Sequence, residues 1–344
     1  MAEVPMDINE AKRKVIESGL RLQATGLIAR TWGNISCRID PDSFVITPSG
    51  KGYEGLSEED IVKIRLSDES FEGDIKPSSE RGVHAALYKL HPNINFIIHT
   101  HQLYATAVGV AGEAIDGLDD LSSSVLGPSV PCAKYGLSTT KPLRDNVEAA
   151  SQENPDSRAI LMRNHGAVCM GTDMEDCFLV CETLEELARE RFCEITGEGT
   201  PYRVFLPDSS NGKRYISYRE RDGKVFAFLK TPAVKYAATN LNGLPAYIDD
   251  MAQLCGPGIP LLPRGSGLKR IDSHLAKRPA VFIKDRGAIC MGENKEEADA
   301  LAMVLDKNAA CAMVVEKTKK GASVPLFTAL LENYNYKKSY SKLK

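Results

Sequence analysis

The chain has 344 residues, 43% apolar and 26% charged, the balance of a folded protein of about two domains rather than a disordered or fibrous one. Its 43 Lys and Arg stand against 46 Asp and Glu, a formal charge of −3, which excludes a broad basic surface for nucleic acid. No apolar run reaches the roughly 18 residues of a membrane span, the first residues carry Glu3 and Asp7 where a targeting peptide would be basic, and nine Cys without a CxxC pair read as reduced thiols of a cytoplasmic protein.

In chain order, Asp7 is placed to cap a helix in which Ile8, Ala11, Val15, Ile16 and Leu20 keep helical spacing up to Gly26. Residues 43–47 and 61–66 read as strands bounded by turn residues. Pro77, Ser78 and Ser79 precede a helix from Glu80 to about Leu90, and residues 95–101 form a β-rich run followed by a helix. Residues 158–163 are a further strand, and Thr172 and Asp173 open a long helix to about Ile195. Residues 198–212 read as a link between a domain over 1–200 and a second over 201–344. The second begins with two strands joined by Asp222-Gly223, a hairpin signal. The alternation of strands and helices predicts an α/β fold, and the basic end, 336–344, predicts a frayed tail.

The chain also repeats itself, and repeats shape the whole architecture. Residues 166–171 (Gly-Ala-Val-Cys-Met-Gly) match 287–292 (Gly-Ala-Ile-Cys-Met-Gly), each after an apolar run. Residues 126–131 match 255–260, and 97–100 match 228–231 more weakly. Three blocks in one order predict a full domain followed by a shorter, partial copy.

Of six His, His99 and His101 are two apart on a predicted strand, so their rings leave the same face. His165 ends another strand. Three neutral imidazoles would leave a dication its charge and an open position, as in a catalytic site; the alternative is a pair of His on a half-exposed sheet. The second copy aligns Lys230, Pro232 and Arg286 with these positions, a set that cannot bind a cation, so the three change together as one site would. Glu80, at a helix start, is the candidate acid/base, or else an ordinary residue of a helix cap. His84, one turn along from Glu80, reads as a packing residue outside the site, and His91 and His274 make no convincing ligands. Gly33, Asn34 and Ser36, residues 47–50 with Ser49 and Gly50, and Ser78 with Ser79 read as anion cradles or as plain turns.

Gly33-Asn34-x-Ser36, Thr47-Pro48-Ser49-Gly50, Pro77-Ser78-Ser79-Glu80, His99-Thr-His101 and Asn164-His165-Gly166 come in the order and spacing of the class II aldolase/adducin family, which residues 7 to about 197 resemble. The resemblance implies a three-layer α/β/α domain with a mostly antiparallel sheet, and a smaller degenerate repeat of the same fold lacking the metal ligands. It implies Zn²⁺, or Mn²⁺ or Co²⁺, on His99, His101 and His165, with Glu80 exchanging the substrate proton. Gly33, Asn34, Ser49, Gly50, Ser78 and Ser79 would hold a substrate phosphate. The reaction implied is reversible cleavage of a ketose 1-phosphate to dihydroxyacetone phosphate and an aldehyde, through an enediolate that the metal stabilises. Epimerase, dehydratase or decarboxylase chemistry on a phosphorylated sugar is the alternative, and a non-catalytic adducin-like scaffold a second. The family's second acid, a Tyr from a neighbouring subunit, falls near Asp119 and Asp120 in this chain. The family's tetramers imply a homo-oligomer, in which a tandem chain would let two copies imitate a four-domain ring, or a larger assembly form.

Overall fold

The computed structural model describes residues 6–28, 32–198 and 215–340, so the 198–212 link and the end of the basic tail lie largely outside the described residues. Contacts divide the chain into two units, Met1–Ala105 with Gly112–Ala188, and Thr106–Ala111 with Arg189–Lys344. Among the described residues no helix is long and apolar enough to cross a membrane.

In the first unit, the Asp7 carboxylate accepts from the N–H groups of Asn9 and Glu10 and starts α1 (Ile8–Thr25), which Gly26 ends in the left-handed conformation. Ala11, Val15 and Leu22 are buried, whereas Leu20 is exposed, on the far side from the stripe to which its spacing assigns it. There follow β1 (Asn34–Asp40), β2 (Ser43–Ile46), β3 (Val62–Arg65), α2 (Arg81–Leu90), β4 (Phe96–Thr100), α3 (Leu103–Gly109), α4 (Asp120–Leu126), β5 (Cys132–Ala133), α5 (Lys141–Glu153), β6 (Ala159–Met162), β7 (Gly166–Gly171) and α6 (Met174–Thr196), the division between the units falling within α3 and α6. The seven strands form one sheet in the order β3-β2-β1-β4-β7-β6-β5, antiparallel throughout except for β5 beside β6. Phe44, Ile64, Ile97, Ile160 and Val168 from the sheet meet Val83, Leu87, Leu143 and Val147 from α2 and α5 in one core, each side chain contributing about 1.5–3 kcal/mol by burial. On the other face α1 lies beside α6, with the Arg21 guanidinium 3.9 Å from the Phe178 ring centre and paired to Glu175. The result is a three-layer α/β/α unit.

The second unit holds β8 (Ile216–Arg221), β9 (Lys224–Leu229), α7 (Pro232–Asn240), β10 (Leu244–Pro245), α8 (Asp249–Cys255), β11 (Gly258–Ile259), β12 (Leu261–Leu262), α9 (Leu268–Leu275), β13 (Ala280–Ile283), β14 (Gly287–Gly292), α10 (Lys295–Thr318) and α11 (Leu326–Asn335), with a π-turn at Tyr336–Tyr340. Asp222 and Gly223 both have positive φ, as the hairpin turn requires. The sheet runs β12-β13-β14-β9-β8, the order of β5-β6-β7-β4-β1.

Register makes that likeness specific. Ile289 lies between Val281 and Phe228, as Val168 lies between Ile160 and His99. Phe228 therefore stands where His99 stands and Lys230 where His101 stands, two residues away from the sequence pairing of Lys230 with His99 and Pro232 with His101. Arg286 keeps its place opposite His165. The backbone explains the difference: α7 begins directly after Thr231 as α3 begins directly after Gln102, so one offset fits both strand and helix.

Candidate active site

Four local features carry the site. His99 is the penultimate residue of β4, His101 lies just past its end, and His165 lies in the tight turn from β6 to β7. That turn closes through His165 N–H donating to the Met162 carbonyl at 3.0 Å and places Asn164 at φ 60°, a conformation Asn tolerates better than most residues. Gly166 has no side chain because a Cβ there would stand 2.3 Å from the Thr100 carbonyl oxygen. Glu80 is the residue directly before α2, its carboxylate turned away from the helix end and its N–H donating to Ser78 Oγ at 3.2 Å.

The three imidazoles converge. His99 Nε2 lies 2.9 Å from His101 Nε2 and 3.1 Å from His165 Nε2, and the three candidate ligand nitrogens lie within 4.8 Å of one another. Tetrahedral Zn–N bonds of about 2.0–2.1 Å would separate such nitrogens by about 3.3 Å. His99 Nδ1 meets the Ala167 carbonyl at 2.8 Å; a carbonyl only accepts, so Nδ1 carries the proton and Nε2 presents its lone pair, the outer arrangement that metal-ligating His adopt. Burial pushes His99 down to about 3, helped by the neighbouring imidazoles, so the ring is a neutral donor. All three rings are buried. The donor set fits a divalent metal ion.

Glu80 stands beside this cluster, Oε1 at 3.1 Å from His165 Nε2 and Oε2 at 3.4 Å from His99 Nε2. Burial would raise its carboxyl, but the facing His165 ring, hydrogen-bonded to Oε1, and the Asn34 amide outweigh it and hold the group well below the usual carboxylate range. Asn34 Nδ2 donates to Oε2 at 2.9 Å, and Ser138 Oγ to Oε1 at 3.4 Å. Sequence reasoning finds neither Ser138 nor the side-chain use of Asn34. Asn34 is on a strand, paired with His99, and its amide faces Glu80 rather than an open cradle. His84 is likewise no mere packing residue: its Nε2 meets Asn34 Oδ1, and its Nδ1 meets Ser36 Oγ at 2.7 Å. The available signal is the four-residue spacing from Glu80 to His84.

The other cradle segments adjoin one another. Pro48 and Pro77 bridge, Ser49 N–H donating to the Lys76 carbonyl and Ser78 N–H to the Thr47 carbonyl, both at 2.9 Å. Gly33 has φ 125° and a Cβ there would stand 2.7 Å from the His99 carbonyl oxygen. Gly50 is left-handed, and Ser79 borders a cavity of about 260 Å³ shared with Glu80, Thr139, Lys141 and Arg144. Asp119 is engaged elsewhere, capping α4 by accepting from Ser122 N–H at 2.7 Å, which holds its carboxyl below the ordinary range.

The family pattern described as Class II Aldolase and Adducin N-terminal domain matches residues 13–192, more than half of the chain and every residue of this site. The chain belongs to the class II aldolase and adducin family. Among the relatives of this family member, an L-fuculose phosphate aldolase of Escherichia coli (strain K12) is 32% identical over 184 residues, 54% of this chain and 83% of that protein. A 5-deoxy-D-ribulose 1-phosphate aldolase of Bacillus thuringiensis serovar kurstaki is 34% identical over 185 residues, 54% and 85% of the two chains. A solved L-fuculose 1-phosphate aldolase superposes with a TM-score of 0.51 at 30% identity, covering 60% of this chain and 95% of that one.

Proposed function

We propose that this chain is a metal-dependent aldolase that reversibly cleaves a ketose 1-phosphate into dihydroxyacetone phosphate and an aldehyde. The observation that carries the reading is the convergence of His99, His101 and His165 with the Glu80 carboxylate 3.1 Å from one of the rings. Zn²⁺ on the three imidazoles, or Mn²⁺ or Co²⁺ on the same donors, would stabilise the negative charge of an enediolate. Glu80, held ionised, is the base. In the synthetic direction it takes a proton from the hydroxymethyl carbon of dihydroxyacetone phosphate, and the electron pair left there spreads to the adjacent carbonyl. That carbon then bonds to the aldehyde carbon, whose oxygen takes a proton from a second acid; cleavage is the reverse. Gly33 and Gly50 would receive the phosphate on backbone N–H groups and Ser49, Ser78 and Ser79 on their hydroxyls, with the N-terminus of α2 adding its dipole. Asn34 serves Glu80.

The test is a panel of ketose 1-phosphates offered to the metal-loaded protein, with dihydroxyacetone phosphate release coupled to an NADH-dependent reductase. Release from at least one sugar is expected; silence across the panel overturns the reading. Elemental analysis beside His99→Ala/His101→Ala should find the metal only in the wild type.

The second unit is, on this reading, a degenerate partial copy that has lost its ligands, over about 201–344, after a catalytic domain over about 1–200. Two chains would then present four family-like units. Sedimentation equilibrium should give a two-chain species, and a monomer would refute it.

A further inference from the structure

We infer that His84 is the positioning residue of this site: acting through Asn34, it holds the Glu80 carboxylate in the orientation from which it exchanges the substrate proton. The inference rests on the aldolase reading.

The direction of each hydrogen bond fixes the roles. Asn34 meets a carboxylate at one end, so its Nδ2 must face Glu80, and its Oδ1, which can only accept, faces His84 Nε2. His84 Nε2 therefore carries the proton. The ring is wholly buried and burial pushes it down to about 4, so it is neutral and Nδ1 accepts from Ser36 Oγ at 2.7 Å. Ser36 Oγ in turn lies 2.9 Å from the Tyr88 hydroxyl, nearer than the Asn95 carbonyl at 3.4 Å. Tyr88, Ser36, His84 and Asn34 thus form a chain in which each group donates to the next and the last donates to Oε2 of Glu80. Asn34 alone could turn end for end; His84 Nε2–H forbids the turned state, which would set Oδ1 against the carboxylate. The chain is not a proton path, since an amide nitrogen cannot pass a proton on. It fixes geometry, as outer groups do for the groups that react.

Two measurements test it, with the Zn²⁺-loaded full-length protein. The first follows deuterium entering the hydroxymethyl carbon of dihydroxyacetone phosphate in D2O, with no aldehyde present. Wild-type exchange is required by the aldolase reading, and its absence sinks that reading alone. His84→Leu should keep its zinc and its half-saturating dihydroxyacetone phosphate concentration, with exchange slowed about 10- to 100-fold. His84→Gln, whose amide nitrogen can reach the Nε2 position, should recover most of the rate. Tyr88→Phe, which leaves the core ring in place, should slow exchange a few-fold, and this decides the matter if His84→Leu does not fold. Wild-type exchange in folded, zinc-bearing His84→Leu, or in Tyr88→Phe if that alone folds, overturns the inference. The second measurement needs no turnover: the nitrogen-15 spectrum of the His rings, assigned by loss of a signal in His84→Gln, should give His84 as the neutral Nε2–H tautomer, and an Nδ1–H tautomer overturns the inference.

Discussion

Glu80 combines a buried carboxylate with two imidazoles and an amide donor, so its charge is held by neighbours rather than by water. Glu80→Gln keeps the shape and removes the basicity. The expected result is unchanged metal content and a turnover lower by about 100- to 10,000-fold, measured on whichever sugar phosphate the wild type cleaves. His84 carries a separate pH dependence. Its folded value of about 4 lies below the ordinary 6.5, so between those values the unfolded chain binds a proton that the folded chain refuses. The associated stability is whole above about pH 6.5 and is lost as pH falls towards 4, by about 3 kcal/mol. Urea unfolding of metal-free protein at about pH 7 and pH 4 should show a smaller acid loss in His84→Gln than in the wild type by that amount; equal losses would refute it. The residue types of the site are legible in sequence because a carboxylate, three imidazoles and small hydroxyl residues have few other reasons to recur in those motifs. The partners are not: that Asn34 turns to Glu80, and Ser138 joins it, follows from folding positions 46 and 58 residues away onto one carboxylate.

At the scale of elements, β1 shows how a motif can hide a strand. Ile35, Cys37 and Ile39 alternate, the period of a strand, yet Asn34 and Ser36 invite a loop reading. The structure buries both faces, and the polar one is satisfied: Ser36 by His84 and Tyr88, and Arg38 by the carbonyls of Tyr88 and Ile94. Such a strand is readable only with its partners in view. The long helices are readable because caps and apolar spacing are local, although Leu20 shows that spacing alone misplaces a residue at the edge of a stripe. The β6–β7 turn links element to site. Gly166→Ala would press a methyl group to 2.3 Å from the Thr100 carbonyl oxygen, with the His99 ring 3.2 Å away. Backbone cannot yield as a side-chain end would, so a loss of about 1–3 kcal/mol in stability is expected. Zinc affinity, measured by competition with a chelator, should fall with it; unchanged affinity would mean that the turn does not govern where His165 sits.

At the scale of the whole molecule, the two sheets set strand register against sequence matching. The matched blocks at 166–171 and 287–292 stand out in sequence because Gly and Cys recur at fixed places, and there the structure agrees: Gly287, like Gly166, has no room for a Cβ, which would stand 2.3 Å from the Leu229 carbonyl oxygen. The weaker block slips by two residues, because β4 and β9 share only apolar character and a slip of two keeps the same face. The two pairings can be told apart by experiment. If Phe228, Lys230 and Arg286 occupy the three ligand positions, then Phe228→His/Lys230→His/Arg286→His should rebuild a three-imidazole cluster in the second unit. Lys230 and Arg286 are exposed and Phe228 is half-buried beside the Phe226, Val281 and Ile289 cluster, so these changes bury no charge. Metal per chain should rise from one to two ions. Lys230→His/Pro232→His/Arg286→His, the set that the sequence match would choose, moves one imidazole to the first residue of α7 and should leave one ion per chain. Two ions in the second variant and one in the first would overturn the register. In either variant aldol cleavage should not increase, because β8 aligns Ser217 with Asn34 and, among the described residues, the second sheet has no counterparts of β2 and β3, the strands that lead to the loop before Glu80.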